Sequence, residues 1–136
     1  MKTTIINRRN QNMIVYVDKP KNAKGLVFIQ HGLSGFAHQP HIKAMAQCFL
    51  NNGYITVSFD ATNSFGDSDG ELINCTMDTH YHDLEDVIEW ASNQVWYQEP
   101  FVLAGHSLGG FSNLIYATNY PDKIKALTPL STVISY

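Results

Sequence analysis

Cysteine is scarce in this chain: 136 residues hold only Cys48 and Cys75, and the two are not spaced C-x-x-C. That excludes a disulfide scaffold and points to reduced thiols in a cytoplasmic protein. Long apolar runs are missing too. Nothing approaches the ~18 residues of a membrane span, and the first residues, Met1 to Asn12, lack the apolar core of a secretory signal. Charge of one sign is absent as well. Nine basic residues against twelve acidic ones leave a formal net charge of −3, which gives no reason to expect nucleic acid or an anionic membrane as partner. There are six histidines, of which His38/His41 and His80/His82 form close pairs. Neither pair has a Glu or Cys at a recognised metal spacing, so no metal site and no cofactor are expected. The last absence is local. No histidine follows His106, and after Ser107 the only acidic residue is Asp122.

What is present is a globular composition, 44% hydrophobic, with length for one domain and a real core. Thr3 to Arg9 and Met13 to Asp18 alternate like strands around the turn residues Asn10-Gln11-Asn12 and predict an antiparallel hairpin. Gly25 to Gln30, Tyr54 to Phe59 and Phe101 to Ala104 are short continuous apolar runs, the pattern of strands buried on both faces. Between them, Ile42, Met45, Ala46, Phe49 and Leu50 trace one helix face, closed by Gly53. Tyr81, Leu84, Ile88, Ala91 and Val95 trace a second, entered at Thr76 or Thr79 as N-cap. Asp60 to Glu71 reads as a solvated loop. Leu108, Phe111, Leu114, Ile115 and Ala117 open a third helix that runs to about Asn119, and Lys125 to Leu130 is a last strand interrupted by Pro129. Alternation of strand and helix predicts an α/β fold. The sheet should be mostly parallel, with helices on both faces and the antiparallel hairpin at one edge.

The run Phe101 to Phe111 concentrates the chemistry. A buried strand leads into Gly105-His106-Ser107-Leu108-Gly109, a match to G-x-S-x-G, and a helix follows at once. Strand, sharp turn and helix is the context in which that pattern lifts a serine hydroxyl above the carboxyl edge of a sheet. Gly105 and Gly109 are small where strand and helix must approach. Glycine-rich strand-to-helix turns also bind phosphate, but there is no Lys-Ser/Thr pair and no G-x-G-x-x-G spacing here.

With these features the chain resembles the N-terminal part of an α/β-hydrolase, on the esterase, lysophospholipase and serine-aminopeptidase-like side. The likeness spans nearly all of residues 1–136, read as one partial hydrolase domain whose sheet stops after about the sixth strand. It rests on the elbow around Ser107, on His31-Gly32-Leu33 after the third strand, on Ser58-Phe59-Asp60 leading to Gly66-Asp67-Ser68-Asp69-Gly70, and on the carboxylate-bearing helix Asp83-Leu84-Glu85-Asp86-Val87. Where the family loop usually has Gly, Asn63 or Ser64 stands here.

The resemblance implies a serine hydrolase acting on carboxylic esters or related acyl substrates. Ser107 would be the nucleophile. The backbone N–H groups of Leu33 and Leu108 would form the oxyanion hole, and His31, Gly32, Gly105, His106 and Gly109 would build the site loops. Triad order in this fold is Ser, acid, His, and the acid and base are lacking after Ser107. Asp122 reads as a turn residue, His106 as packing or pocket lining, and His31 as fixing its loop. His38, His41, His80 and His82 default to surface or cap roles. A partner chain supplying the C-terminal part, or self-association through an exposed edge strand, is expected with a small-molecule ester or acyl substrate. The alternative is a non-catalytic hydrolase scaffold used for binding. Esterase, lipase, thioesterase and peptidase all remain open.

Overall fold

A computed structural model describes residues 1–134. Its element order is β1 (Lys2–Ile6), β2 (Asn12–Asp18), β3 (Gly25–Gln30), α1 (Pro40–Asn51), β4 (Tyr54–Phe59), α2 (Met77–Ser92), β5 (Phe101–His106), α3 (Leu108–Asn119) and β6 (Ile124–Leu130). Two single-turn 3₁₀ segments, Leu72–Asn74 and Pro121–Lys123, precede α2 and β6. The six strands form one sheet in the order β1-β2-β4-β3-β5-β6. β1 and β2 pair antiparallel, as do β2 and β4; the rest of the sheet is parallel.

Every residue of β3 is buried, as is β5 as far as Gly105. Helices cover both sides, which is why these strands read as unbroken apolar runs. On one face α1 lays Ile42, Met45 and Phe49 over Val27, Ile29, Val102 and Ala104. On the other, Leu84, Val87 and Ile88 of α2 and Tyr116 of α3 close a larger core with Phe28, Phe59 and Phe101. The Phe28 and Phe101 rings meet edge to face at 4.9 Å. No helix among the described residues is long and apolar enough to cross a membrane.

Several elements depart from the sequence-based expectation. β1 ends at Ile6, not Arg9, because the Asn7 side chain accepts the Arg9 and Gln11 amides at 2.9 and 3.0 Å and turns the chain early. Val95 is not on the α2 stripe. The helix stops at Ser92, Asn93 caps it, and Val95 is fully exposed. β5 continues two residues beyond Ala104, to His106. The apolar stripe of α3 is not its buried face: the buried residues are Gly109, Gly110, Ser112, Asn113 and Tyr116, while Leu108, Phe111, Leu114 and Ile115 are half-covered, Ile115 packing on the edge of the core. Small residues win the inner face because α3 lies so close to β5. Among the described residues β6 pairs only with β5, and it buries none of its residues. Pro129 is tolerated on such an edge.

Candidate functional site

Ser107 joins β5 to α3 with φ 52° and ψ −116°, a left-handed conformation uncommon for a residue with a side chain. The turn is held on both sides. The Ser107 amide donates to the Leu130 carbonyl at 2.9 Å, and the Ser107 carbonyl accepts the Phe111 amide at 3.1 Å. The glycines make this geometry possible. A methyl group on Gly105 would lie 2.6 Å from the backbone of Gly109 and Gly110, and one on Gly109 would collide with the carbonyl oxygens of Gln30 and His31. Strand β5, helix α3 and the loop after β3 therefore meet backbone to backbone.

That loop is held by two uncharged imidazoles. His31 is fully buried. Its Nδ1–H donates to the Gly32 carbonyl at 2.7 Å, and its Nε2 accepts the Ala61 amide at 2.9 Å. Only the neutral Nδ1–H tautomer satisfies both bonds, since a proton on Nε2 would face another donor. Burial, and then the neighbouring His80, push this imidazole down to about 3. The Gly32 carbonyl also accepts the Gly35 amide at 3.1 Å. A trans peptide points its N–H opposite to its C=O, so pinning Gly32 fixes the direction of the Leu33 amide. His80 is also buried, not at the surface or in a cap: its Nε2–H donates to the His31 carbonyl at 2.9 Å, while its own carbonyl accepts Gln30 Nε2 at 2.8 Å. Burial lowers its pKa too.

The segment from Asp60 to Gly70 is not a solvated loop either. Asp60 is buried, and its carboxylate accepts the Ala37 and Asp67 amides at 2.7 and 3.0 Å. Asn63 takes φ 58°, the left-handed conformation a glycine would supply, so its amide side chain replaces Gly without loss of the turn. Asp83 of α2 is fully buried and accepts the amide and hydroxyl of Thr62, both at 2.7 Å, with Arg9 at 2.6 Å. These two carboxylates and two histidines tie the β3 and β4 loops to α2.

Ser107, Leu33 and Leu108 border one cleft of about 420 Å³, together with Cys75, Met77, Phe111 and Val133. Among the described residues, neither the Leu33 nor the Leu108 amide donates to a protein acceptor. Leu108 is the first residue of α3, where the amide has no intrahelical partner. His106 turns away, its ring against His41 of α1 at 4.5 Å; burial, then His41, lower its pKa. Gly32 lies against His106 and Ser107. Asp122 sits in the short turn before β6. Among the described residues the Ser107 hydroxyl makes no hydrogen bond to an imidazole, and no three His, Cys, Asp or Glu side chains converge as a metal site requires. His80, expected at the surface or in a cap, and Asp83, named only as part of a carboxylate-bearing helix, are the site-building residues whose roles the sequence did not reveal. Their signal was spacing: both fall on the α2 face of Leu84 and Val87.

This sheet order, with an elbow after β5 and helices on both faces, defines an α/β-hydrolase fold. The sequence profile of the X-Pro dipeptidyl-peptidase (S15) family matches residues 7–136, and the chain belongs to that family. Est1E from Butyrivibrio proteoclasticus, solved with ferulic acid bound, superposes with a TM-score of 0.88 at 30% identity, over 96% of this chain and 52% of that one. Mouse alpha/beta hydrolase domain-containing protein 10 superposes with a TM-score of 0.79 at 25% identity, over 97% and 50%. Among curated proteins, the mitochondrial palmitoyl-protein thioesterase ABHD10 of Mus musculus is 24% identical over 95% of this chain and 41% of its own length. An acyl transferase of Photobacterium leiognathi is 33% identical over 60% and 26%. The chain thus spans less than half the length of these curated relatives and about half of these solved structures.

Proposed function

We propose that the chain is a serine hydrolase domain for carboxylic esters or related acyl substrates, with Ser107 as the nucleophile. The observation that carries this is the convergence in one cleft of a strained elbow serine and two backbone amides without protein acceptors, Leu33 and Leu108. Ser107 Oγ would attack the acyl carbon as its proton passes to a base. The carbonyl oxygen would take up the displaced electron pair and be held by the two amides, whose directions are already set. Collapse would expel the alcohol or thiol with a proton and leave the acyl group on Ser107, for water to release. His31 is tied into its loop as a neutral group, so it is a loop-holder in this scheme. The base and its orienting acid are assigned to residues outside this sequence.

The test is turnover of p-nitrophenyl butyrate by the 136-residue chain beside Ser107→Ala. Turnover lost in Ser107→Ala supports the nucleophile. Oxyanion hole and binding alone retain about 10³–10⁴-fold over water when a triad is removed, so an equal, slow rate in both proteins means that Ser107 does no chemistry in this chain without the base assigned outside it. A second reading, a hydrolase scaffold that binds acyl compounds without converting them, draws on the apolar cleft itself and on Ser107 having no imidazole partner among the described residues. Equal rates together with saturable ligand binding would establish that one.

A further inference from the structure

The walls around Ser107 have a chemical character that sheet and elbow do not explain. Leu33, Met77 and Val133 are 59%, 40% and 48% exposed, and all three border the same cleft as Ser107 and Phe111. They come from three parts of the chain: the loop after β3, the first residue of α2 and the segment after β6. Singly exposed apolar residues need no explanation, but several converging around one polar atom describe a binding site. The remaining walls are Cys75, Thr76 and Leu108, and among the described residues no charged side chain borders the cleft. The carboxylates behind it are committed. Asp83 is taken by Arg9 and Thr62, and Asp60 by backbone amides. Asp78, next to Met77, is exposed and does not border the cleft.

A peptide substrate with a free amino end brings an ammonium close to the scissile carbonyl. Moving it out of water requires a carboxylate or several acceptors as partners. A hydrocarbon acyl group requires only apolar wall. We propose that the Ser107 cleft takes an uncharged, apolar acyl group and turns away a substrate carrying a free ammonium beside the reacting carbonyl. As a statement about substrate, this rests on Ser107 being the acyl-accepting atom. Met77 is a specificity-determining side chain, because with Val133 it brings apolar bulk to the cleft from outside the elbow and the β3 loop.

Ser107→Ala cannot be acylated, so ligand preference can be read in it without chemistry. Hexanamide and alanyl-prolinamide are titrated into it, followed by backbone amide chemical shifts. Hexanamide should move Leu33, Met77 and Phe111 saturably, with alanyl-prolinamide weaker by at least about tenfold, the equivalent of ~1.4 kcal/mol. Adding Met77→Glu should shrink or invert that ratio. A carboxylate in the first turn suits the N-terminus of α2, so the variant should fold, and unchanged distant amides would verify it. Equal binding of the two ligands, no saturable shift with hexanamide, or an unchanged ratio with Met77→Glu overturns the proposal. Preference intact, but no Ser107-dependent turnover of p-nitrophenyl hexanoate, removes hydrolysis by this chain alone and leaves the ligand class standing.

Discussion

His31 shows how a single residue can be chemically conspicuous yet spend itself on architecture. A histidine beside a candidate nucleophile invites a role as base, but both ring nitrogens are used up in holding Gly32 and Ala61. The cost should appear in acid. In the folded chain this imidazole stays neutral down to about 3, against an ordinary value of 6.5, so between those limits the unfolded chain binds the extra proton. Stability is therefore full above about 6.5 and falls as pH drops toward 3. His80, also lowered by burial, adds to the same slope. Thermal midpoints at pH 7 and pH 4.5 should fall steeply in the native chain and less steeply in His31→Asn. Parallel losses would show that other groups carry the acid sensitivity. Ser107 and its two glycines were legible in the sequence because the constraint is local, within a few residues of chain. His80 was not, because its value lies in a contact with His31 formed across 49 residues.

At the scale of elements, α2 connects the site to the rest of the molecule. Thr76 caps it in a reciprocal pair: its hydroxyl accepts the Thr79 amide at 3.0 Å, and the Thr79 hydroxyl accepts the Thr76 amide at 2.9 Å. Thr76→Ala should cost about 1 kcal/mol of stability in a denaturant titration. It should also loosen the Cys75–Met77 wall of the cleft, seen as faster amide exchange there. A loss under a few tenths of a kcal/mol would mean the cap is idle. The helix periodicities were read correctly where apolar spacing and burial coincide, as in α1. They misled in α3, where the close approach of its first turns to β5 puts Gly109, Gly110 and Ser112 on the buried face and leaves the apolar stripe half-covered. The segment Asp60 to Gly70 looked solvated because its residues are polar. In the fold its first part turns inward, where Asp60 and Asn63 accept backbone amides that would otherwise be buried without partners, while Asp67 and Asp69 stay exposed.

For the whole molecule, a mostly parallel sheet with an antiparallel hairpin at one edge followed from strand-helix alternation, whereas the strand order β1-β2-β4-β3-β5-β6 is set by contacts between distant strands. Among the described residues the outer edge of β6 has no strand partner, and Leu130 at its end and Ile134 beyond it are 48% and 64% exposed. Edges of this kind template pairing with another strand. The isolated chain should associate with rising concentration in light-scattering measurements, and Leu130→Lys should shift it toward monomer. A native chain that stays monomeric at high concentration would contradict this. The clamp on the Gly32–Leu33 peptide has a further consequence, in ionic strength. Its immediate grips are imidazole nitrogens and backbone groups without net charge, whereas the outer braces Arg8–Asp86 and Lys2–Asp67 are ion pairs at 2.7 and 3.2 Å, each with at least one well-exposed partner. At 1 M salt, where screening acts within about 3 Å, those braces slacken. The amide aimed into the cleft keeps its direction, leaving the site indifferent to brine that loosens the surface around it.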